Sequence, residues 1–397
     1  MVGGSDHGSL LRSRDGGGQQ VSPFELFFDL VYVFAVTQLF HRLLGELTVG
    51  NAMETLFLML AVWWAWIYTA WITNWLDPNR LPVRLMLVAV MLASLVMSVA
   101  IPYAFGERGL MFAAAFVAIQ VGRTLFMVAA LERTSSLGRN FQRVLVWLGS
   151  SGMLWIAGGF LEGEARYVLW ALALAVEYAG PVFGFWTPGL GRSDTVVWTV
   201  EGGHLAERCQ LFVIIALGES LLLTGSTFGG IEVSKSTVAA FVVAFIGSVA
   251  LWWIYFARVA EEAREVFASA DDPGRIARSA YTYFHLPIIA GIITVAAADE
   301  LVVAHPGDLG TPSSIALTLG GTGLFLAGHA LFKCAVFGLV SLPRVAAIVA
   351  LAALIPVGFV IPALALHIAA ALIVVGVAAW DTLTHPAPAP SPRRSAT

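Results

Sequence analysis

The sequence predicts an all-α membrane protein, a polytopic transmembrane helix bundle with about 12 helices in two parallel six-helix repeats. The chain has 397 residues, of which 58% are hydrophobic and only 12% are charged, about half the charged fraction of ordinary soluble proteins. Its apolar residues form segments of about twenty residues, and a helix of that length crosses a hydrocarbon core about 30 Å thick. Short motifs of the first half recur in the same order in the second half.

Twelve apolar segments define the predicted elements in chain order. Six of them form the first repeat, residues 23–190, and six form the second repeat, residues 200–383. Residues 1–22 are polar and Gly-rich and residues 384–397 are Pro-rich, so we expect a disordered tail at each end. The segments are approximately 24–44, 52–75, 83–105, 109–131, 141–161, 166–186, 205–226, 237–257, 280–301, 313–337, 344–361 and 363–381.

Positive charge is distributed unequally between the two sides that this count of twelve helices defines. Seventeen Lys and Arg residues fall on one side and four on the other, and the remaining one, Arg123, lies well inside a segment and is assigned to neither side. Positive residues collect on the cytoplasmic side of membranes, so we expect both termini in the cytoplasm. Pro356 and Pro362 crowd the boundary of the last two segments, which can instead form one re-entrant unit.

The two halves look like copies of one unit. Six helices are an even number, so the two copies would have parallel topology and be related by an axis along the membrane normal. The matches, in their shared order, are Glu25 with Glu207, Trp63-Trp64 with Trp252-Trp253, and VGRTLF (121–126) with AGHALF (327–332).

The first and seventh segments carry carboxylates inside apolar runs. Glu25 and Asp29 are four residues apart and therefore share one helix face. Glu207 begins the seventh segment, and Glu219 lies twelve residues further on, about 18 Å deeper and near the midplane. A carboxylate in a membrane helix is expensive and usually functional. Glu219 is therefore predicted to bind and release coupling protons, and the alternative is a permanently protonated structural group.

A layer of polar side chains is predicted in the inner half of the membrane. Asp29, Arg123, Glu207, His285 and His329 fall at similar depths and are candidates for binding substrate or protons. For Asp29 and Arg123 the alternative is a structural ion pair across the bundle. A packing role is equally open for the two histidines.

Four further polar residues are predicted to have structural roles. Glu25 lies near a helix N-terminus, where a carboxylate is favourable, and Glu207 with the adjacent Arg208 has the same structural interpretation as its alternative. Lys333 can extend to the cytoplasmic interface. Gln38 is the remaining polar residue of the first segment.

The sequence gives no sign of a metal, a cofactor or a nucleic-acid partner. His204 and Glu207 have ligand-like spacing, but one His and one carboxylate are a weak metal signal. Walker, dinucleotide and nucleophile-elbow motifs are absent from the sequence, as is a basic stripe for nucleic acid. The expected partners are the lipid bilayer and an unidentified small-molecule, ion or lipid ligand.

Four motifs resemble the bacterial low temperature requirement A (LtrA) family over nearly the whole chain. They are FELFFDLVYVFAVTQL (24–39), HLAERCQLFVIIALGES (204–220), WWIYF (252–256) and YTYFHLPIIAG (281–291). The resemblance implies a multi-pass protein of the bacterial inner membrane, linked by the family name to growth in the cold, and it implies no particular chemistry.

Three functions follow as hypotheses. A secondary transporter or permease fits two parallel halves and a midplane carboxylate. A membrane-embedded enzyme that modifies a lipid or an isoprenoid-linked substrate would use Glu219, Asp29 or His285 as acid or base. A non-catalytic envelope factor is the third. The transporter is the preferred hypothesis, and enzyme activity is left open.

Overall fold

The computed structural model describes residues 10–12, 20–132 and 134–384; the regular secondary structure of these ranges is helical, without a strand. The sixteen α-helices are α1 Pro23–Gly45, α2 Val49–Trp75, α3 Leu81–Ala100, α4 Gly109–Ala130, α5 Ser136–Phe160, α6 Glu164–Val182, α7 Gly202–Gly229, α8 Lys235–Phe256, α9 Val259–Ala268, α10 Pro273–Ile276, α11 His285–Ala304, α12 Pro312–Ile315, α13 Gly321–Phe337, α14 Leu342–Ala353, α15 Ile355–Gly358 and α16 Ala363–Thr384. This confirms the all-α prediction, and each of the twelve predicted segments falls on helix.

Nine helices of the described residues are long and apolar enough to cross a membrane. They are α1–α4, α7, α8 with α9, the run from α10 to α11, the run from α12 to α13, and α16. The helices α5 and α6 are long but more polar; α6, for example, carries Glu164, Arg166 and Glu177. The chain is therefore a multi-pass membrane protein, and twelve crossings remain a prediction.

Two of the spans in the second half contain a π-helix. Ala277–Tyr283 joins α10 to α11, and Ala316–Gly320 joins α12 to α13. A π-helix leaves backbone groups less regularly paired than an α-helix, and such stretches are frequent at functional sites. The eleventh predicted segment is divided at Leu354 into α14 and α15, where Pro356 stands in the first turn of α15.

The helices α1, α2, α7 and α11 form the centre of the bundle. The helix α1 contacts α7 and α11, and α2 also contacts both of them. These contacts join the part of the chain before residue 190 to the part after residue 200. The most buried of the nine spans are α2 and the run from α10 to α11.

The segment Leu10–Arg12 lies against the end of α2. The backbone N–H of Arg12 donates to the carbonyl of Trp75 at 2.8 Å, and the N–H of Asp77 donates to the carbonyl of Leu10 at 2.9 Å. These residues belong to the stretch that we predicted to be a tail. Residues 20–22 and 384 of the predicted tails are also described, and residues 1–9, 13–19 and 385–397 lie outside the described residues.

Candidate functional site

A buried ion pair links α1 to α7. The side chains of Asp29 and Arg208 are fully buried, and their atoms Oδ1 and Nη2 are 2.7 Å apart. The same guanidinium reaches Glu25, with 3.2 Å between Nη1 and Oε1. Glu25 and Asp29 lie one helical turn apart on α1, so a single arginine of α7 contacts both carboxylates.

Two further basic side chains complete the cluster at Glu25. Arg12 Nη2 lies 2.8 Å from Glu25 Oε2, and His204 Nε2 lies 2.9 Å from Glu25 Oε1. His204 precedes Arg208 by one turn of α7, so residues four apart on α1 face residues four apart on α7. We call Arg12, Glu25, Asp29, His204 and Arg208 the inner ion network. With His204 neutral, two carboxylates balance two guanidinium groups.

Local structure holds the carboxylates of the network in place. Ser22 caps α1 and forms a capping box with Glu25, whose Oε2 accepts the Ser22 backbone N–H at 2.9 Å. Asp29 Oδ1 accepts the indole N–H of Trp66 at 2.7 Å. A buried ion pair is stable only when its remaining lone pairs and protons are also bonded, as they are here.

The predicted Asp29–Arg123 ion pair is wrong, because each residue has other partners. Arg123 is buried on α4 and donates to Thr69 Oγ1 at 2.5 Å, to the carbonyl of Ala65 and to Gln120 Oε1. Asp29 is paired with Arg208 instead. Depth along the helices matched Asp29 with Arg123, but the rotation of each helix about its axis places Arg208 at Asp29.

Gln120 connects Arg123 to a buried carboxylate that the sequence analysis missed. Glu177 on α6 accepts hydrogen bonds from Gln120 Nε2 at 2.8 Å, Ser151 Oγ at 2.8 Å and Trp155 Nε1 at 2.9 Å. The sequence feature that could have identified Glu177 is a carboxylate inside the apolar run 166–186. All these donors make Glu177 a well-bonded core group of the first half.

Glu219 also contributes to the contact between α1 and α7. Its Oε1 accepts a hydrogen bond from Thr37 Oγ1 at 2.5 Å, and its side chain is almost fully buried. It lies eleven residues beyond Arg208, which is about 16 Å along α7. The two helices are therefore joined by ionic contacts at one end and by a single carboxylate–hydroxyl contact deeper in the bundle.

The other predicted residues of the polar layer do not join the network at Asp29. Glu207 is half-buried and accepts the backbone N–H of Val21 at 3.3 Å. Gln38 and Lys333 are likewise half-buried, on α1 and α13. The predicted layer therefore consists of several separate groups.

The two predicted histidines belong to a separate cluster in the second half. His285 Nδ1 lies 2.9 Å from the carbonyl of Ala280, so this nitrogen donates, and Nε2 of the neutral ring then accepts from Tyr255 Oη at 2.7 Å. His329 Nδ1 accepts from Arg344 Nε at 2.8 Å, and Arg344 pairs with Asp381. Both rings are therefore oriented by defined partners.

A buried contact between a carboxyl group and a histidine, which the sequence analysis missed, joins α11 to α16. Asp299 Oδ1 and His367 Nε2 are 2.7 Å apart, and both side chains are buried. Their other polar atoms, Asp299 Oδ2 and His367 Nδ1, have no partner among the described residues. No three His, Cys, Asp or Glu side chains within the described ranges are grouped so as to hold a metal ion.

A family model and a relative of known sequence both match most of this chain. A family model described as bacterial low temperature requirement A protein (LtrA) matches residues 20–379. The chain is 41% identical over 325 residues to "Uncharacterized protein RA0937" of Rhizobium meliloti (strain 1021). The matched region covers 81% of this chain and 79% of that protein. No solved structure matches the chain significantly.

Proposed function

The chain belongs to the bacterial low temperature requirement A family, and from its buried charges we propose that it is a secondary transporter of the bacterial inner membrane. The family description names a requirement at low temperature and no reaction. The proposal therefore rests on the geometry of the central helices. We propose that two six-helix halves, 23–190 and 200–383, move against each other.

The packing order of the helices supports two related halves. In the first half α1 packs on α2 and α3, and the chain then continues with α3 on α4, α4 on α5, and α5 on α6. In the second half α7 packs on α8 and α11, followed by α11 on α13, α13 on α14, and α14 on α16. This shared series of neighbours is expected of parallel repeats, whereas the contact of α8 with α16 has no comparable counterpart between α2 and α6.

The observation that carries the proposal is the inner ion network between α1 and α7. These helices are the first of each proposed half, and Arg208 of one is bound to Asp29 and Glu25 of the other. Buried ion pairs add little net stability compared with apolar packing. Ionisable residues inside a membrane protein are correspondingly often functional. A network that forms in one state and separates in another would gate access between the halves.

Glu219 is the proposed coupling group. Its carboxyl group accepts a hydrogen bond from the hydroxyl of Thr37 and forms no ion pair with a described residue, so it is not committed to a cation as Asp29 is. A carboxyl group in this position can bind a proton in one state and release it in the other. With both termini in the cytoplasm, as the charge asymmetry predicts, the inner ion network closes the cytoplasmic side of α1 and α7.

Distance measurements between spin labels test the proposed movement. Labels would be attached at Asn79 and Glu265 for one end of the bundle, and at Glu107 and Glu232 for the other, all of which are exposed. The background would carry Cys209→Ala and Cys334→Ala, with the protein in lipid nanodiscs. We expect two populations whose ratio changes with pH, one distance lengthening as the other shortens.

The matched variant for this experiment is Glu219→Gln, which cannot titrate and should remove the pH dependence. Distances that stay single and constant at every pH would reject alternating access. A lipid-modifying enzyme or a non-catalytic envelope factor predicts that constant result, so the measurement separates the transporter from both alternatives.

A further inference from the structure

A small aromatic cavity lies between the two proposed halves, apart from the inner ion network. Its volume is about 60 Å³, and it lies between α2, α5, the segment 184–198 and the π-helix Ala277–Tyr283. Its lining includes five aromatic rings: Tyr68, Trp71, Phe141, Phe185 and Trp198. Ligand sites are usually apolar and concave, with few polar groups.

The backbone around this cavity is irregular on two sides. Phe185 has φ of +48°, and it is the one residue other than glycine with a positive φ in the described ranges. A bulky residue in this region is strained, and such strain is concentrated at ligand clamps and active sites. On the other side, Arg278 and Thr282 are both part of the π-helix. Two costly backbone conformations therefore line the same cavity.

The polar groups of the cavity include two donors with free capacity. Tyr68 Oη is buried and has no hydrogen-bond partner among the described residues. Arg278 donates from Nη1 to the carbonyl of Pro181 at 3.2 Å, and it forms no ion pair with any described carboxylate. A buried hydroxyl without a partner is unfavourable, and an acceptor on a ligand would remove that penalty.

Arg278 is the one charged side chain among the described residues that line the cavity. A second guanidinium, that of Arg123, lies 5.5 Å from the centre of the Tyr68 ring, on α4 behind α2. Gln120 joins Arg123 to Glu177 through hydrogen bonds. Arg278 therefore places a positive charge in the lining of the cavity, next to the aromatic wall.

We propose that this cavity binds a small organic anion with an apolar body of about the size of benzoate. The carboxylate would contact Arg278 and the hydroxyl of Tyr68, and the apolar body would lie against Trp71 and Trp198. The cavity is smaller than the roughly 150 Å³ that holds a benzene molecule. Binding would therefore move the strained segment at Phe185 outward. This proposal concerns binding alone and holds whether or not the protein transports its ligand.

Equilibrium binding to purified protein in nanodiscs tests the proposal. Radiolabelled benzoate is the probe, with benzyl alcohol and benzylammonium as neutral and cationic competitors of similar size. We expect saturable binding at millimolar concentrations or below, with the neutral and cationic competitors about tenfold weaker or worse than benzoate itself.

Three variants locate the site. Arg278→Gln should weaken benzoate binding by about tenfold, and Tyr68→Phe, which removes one hydroxyl, by about fivefold. Arg275→Gln is the matched control, because Arg275 is exposed three residues earlier and does not line the cavity; it should change binding less than about twofold. Thermal unfolding of each variant checks folding.

Three results would each overturn the proposal. They are absence of saturable benzoate binding to the wild-type protein, equal competition by benzyl alcohol, and equal loss of binding in Arg275→Gln and Arg278→Gln.

Discussion

Arg208 contacts two carboxylates that are one helical turn apart, at a place where all three side chains are fully buried. Removing one member of such a group leaves an uncompensated charge in a low-dielectric interior, which is more harmful than removing a whole pair. The residues of the inner ion network therefore have to be tested in combination, because single substitutions report the stranded partner as well as the lost contact.

The first prediction at the residue scale is a double-mutant cycle. Arg208→Leu should lower the free energy of unfolding in mixed micelles by about 3–5 kcal/mol, because it leaves the buried Asp29 without its cation. Adding Asp29→Asn should recover part of that loss, with a coupling energy of at least about 1 kcal/mol.

The control is a second double-mutant cycle, which uses Arg123 in place of Arg208. Arg123 has other hydrogen-bond partners and forms no ion pair with Asp29. Asp29→Asn and Arg123→Leu should have additive effects within about 0.5 kcal/mol. Strong coupling in this cycle and additivity in the first would contradict the ion pair in the structure.

The second residue-scale prediction concerns Glu219. If it is the coupling group, Glu219→Gln should fold normally and lose pH-dependent function, while Glu219→Asp retains part of it. Thr37→Val removes the hydroxyl partner and keeps the carboxyl group, so it should shift the pH dependence without abolishing function. Cold growth at matched membrane levels, measured at several pH values, checks all three variants. Wild-type behaviour of Glu219→Gln at every pH would remove Glu219 from the proposed mechanism.

At the scale of elements, the crossing of α11 and α13 depends on glycine. A Cβ at Gly291 would lie 2.5 Å from the backbone nitrogen of Phe325, and one at Gly328 would lie 2.8 Å from the backbone nitrogen of Ile288. Small residues let membrane helices approach closely, so that packing between their backbones replaces the missing hydrophobic driving force. This crossing fixes α11, which carries Asp299 and begins at His285.

The third prediction tests that crossing. Gly291→Ala should destabilise the protein by about 1–3 kcal/mol, because the new methyl group forces the two backbones apart. Gly323→Ala, on the partner helix α13, is the control. Open space surrounds that position, and alanine is a better helix former than glycine. Unfolding in mixed micelles measures both. An equal effect of the two substitutions would mean that the backbones do not meet at Gly291.

At the scale of the whole molecule, the fourth prediction concerns topology. The asymmetry of Lys and Arg predicts that both ends of the chain are cytoplasmic. Reporter fusions at Arg139, before most of α5, and at Gly163, after α5, should report opposite sides of the membrane. Reporters on one side would show that α5 does not cross, and would lower the number of crossings.

The sequence by itself determined which segments of the chain form the helices of this fold. The apolar segments are long and continuous enough to specify membrane helices locally, because every backbone group in lipid must be bonded within its own helix. The carboxylates within α1 and α7 stand out because they interrupt these apolar segments, so they were candidates before any contact was known. The family, too, was recognisable from the motifs of these helices and is confirmed over residues 20–379.

Only the tertiary structure decided which polar groups meet. Sequence spacing gives the height of a residue along its helix, whereas a contact also depends on the rotation of that helix and on its neighbours. Asp29 and Arg123 lie at matching predicted heights, but Arg208 faces Asp29 across the α1–α7 contact. The aromatic cavity similarly combines residues from four separate parts of the chain. Such a site has no local signal, because it exists only where the packed surfaces of distant segments leave a space.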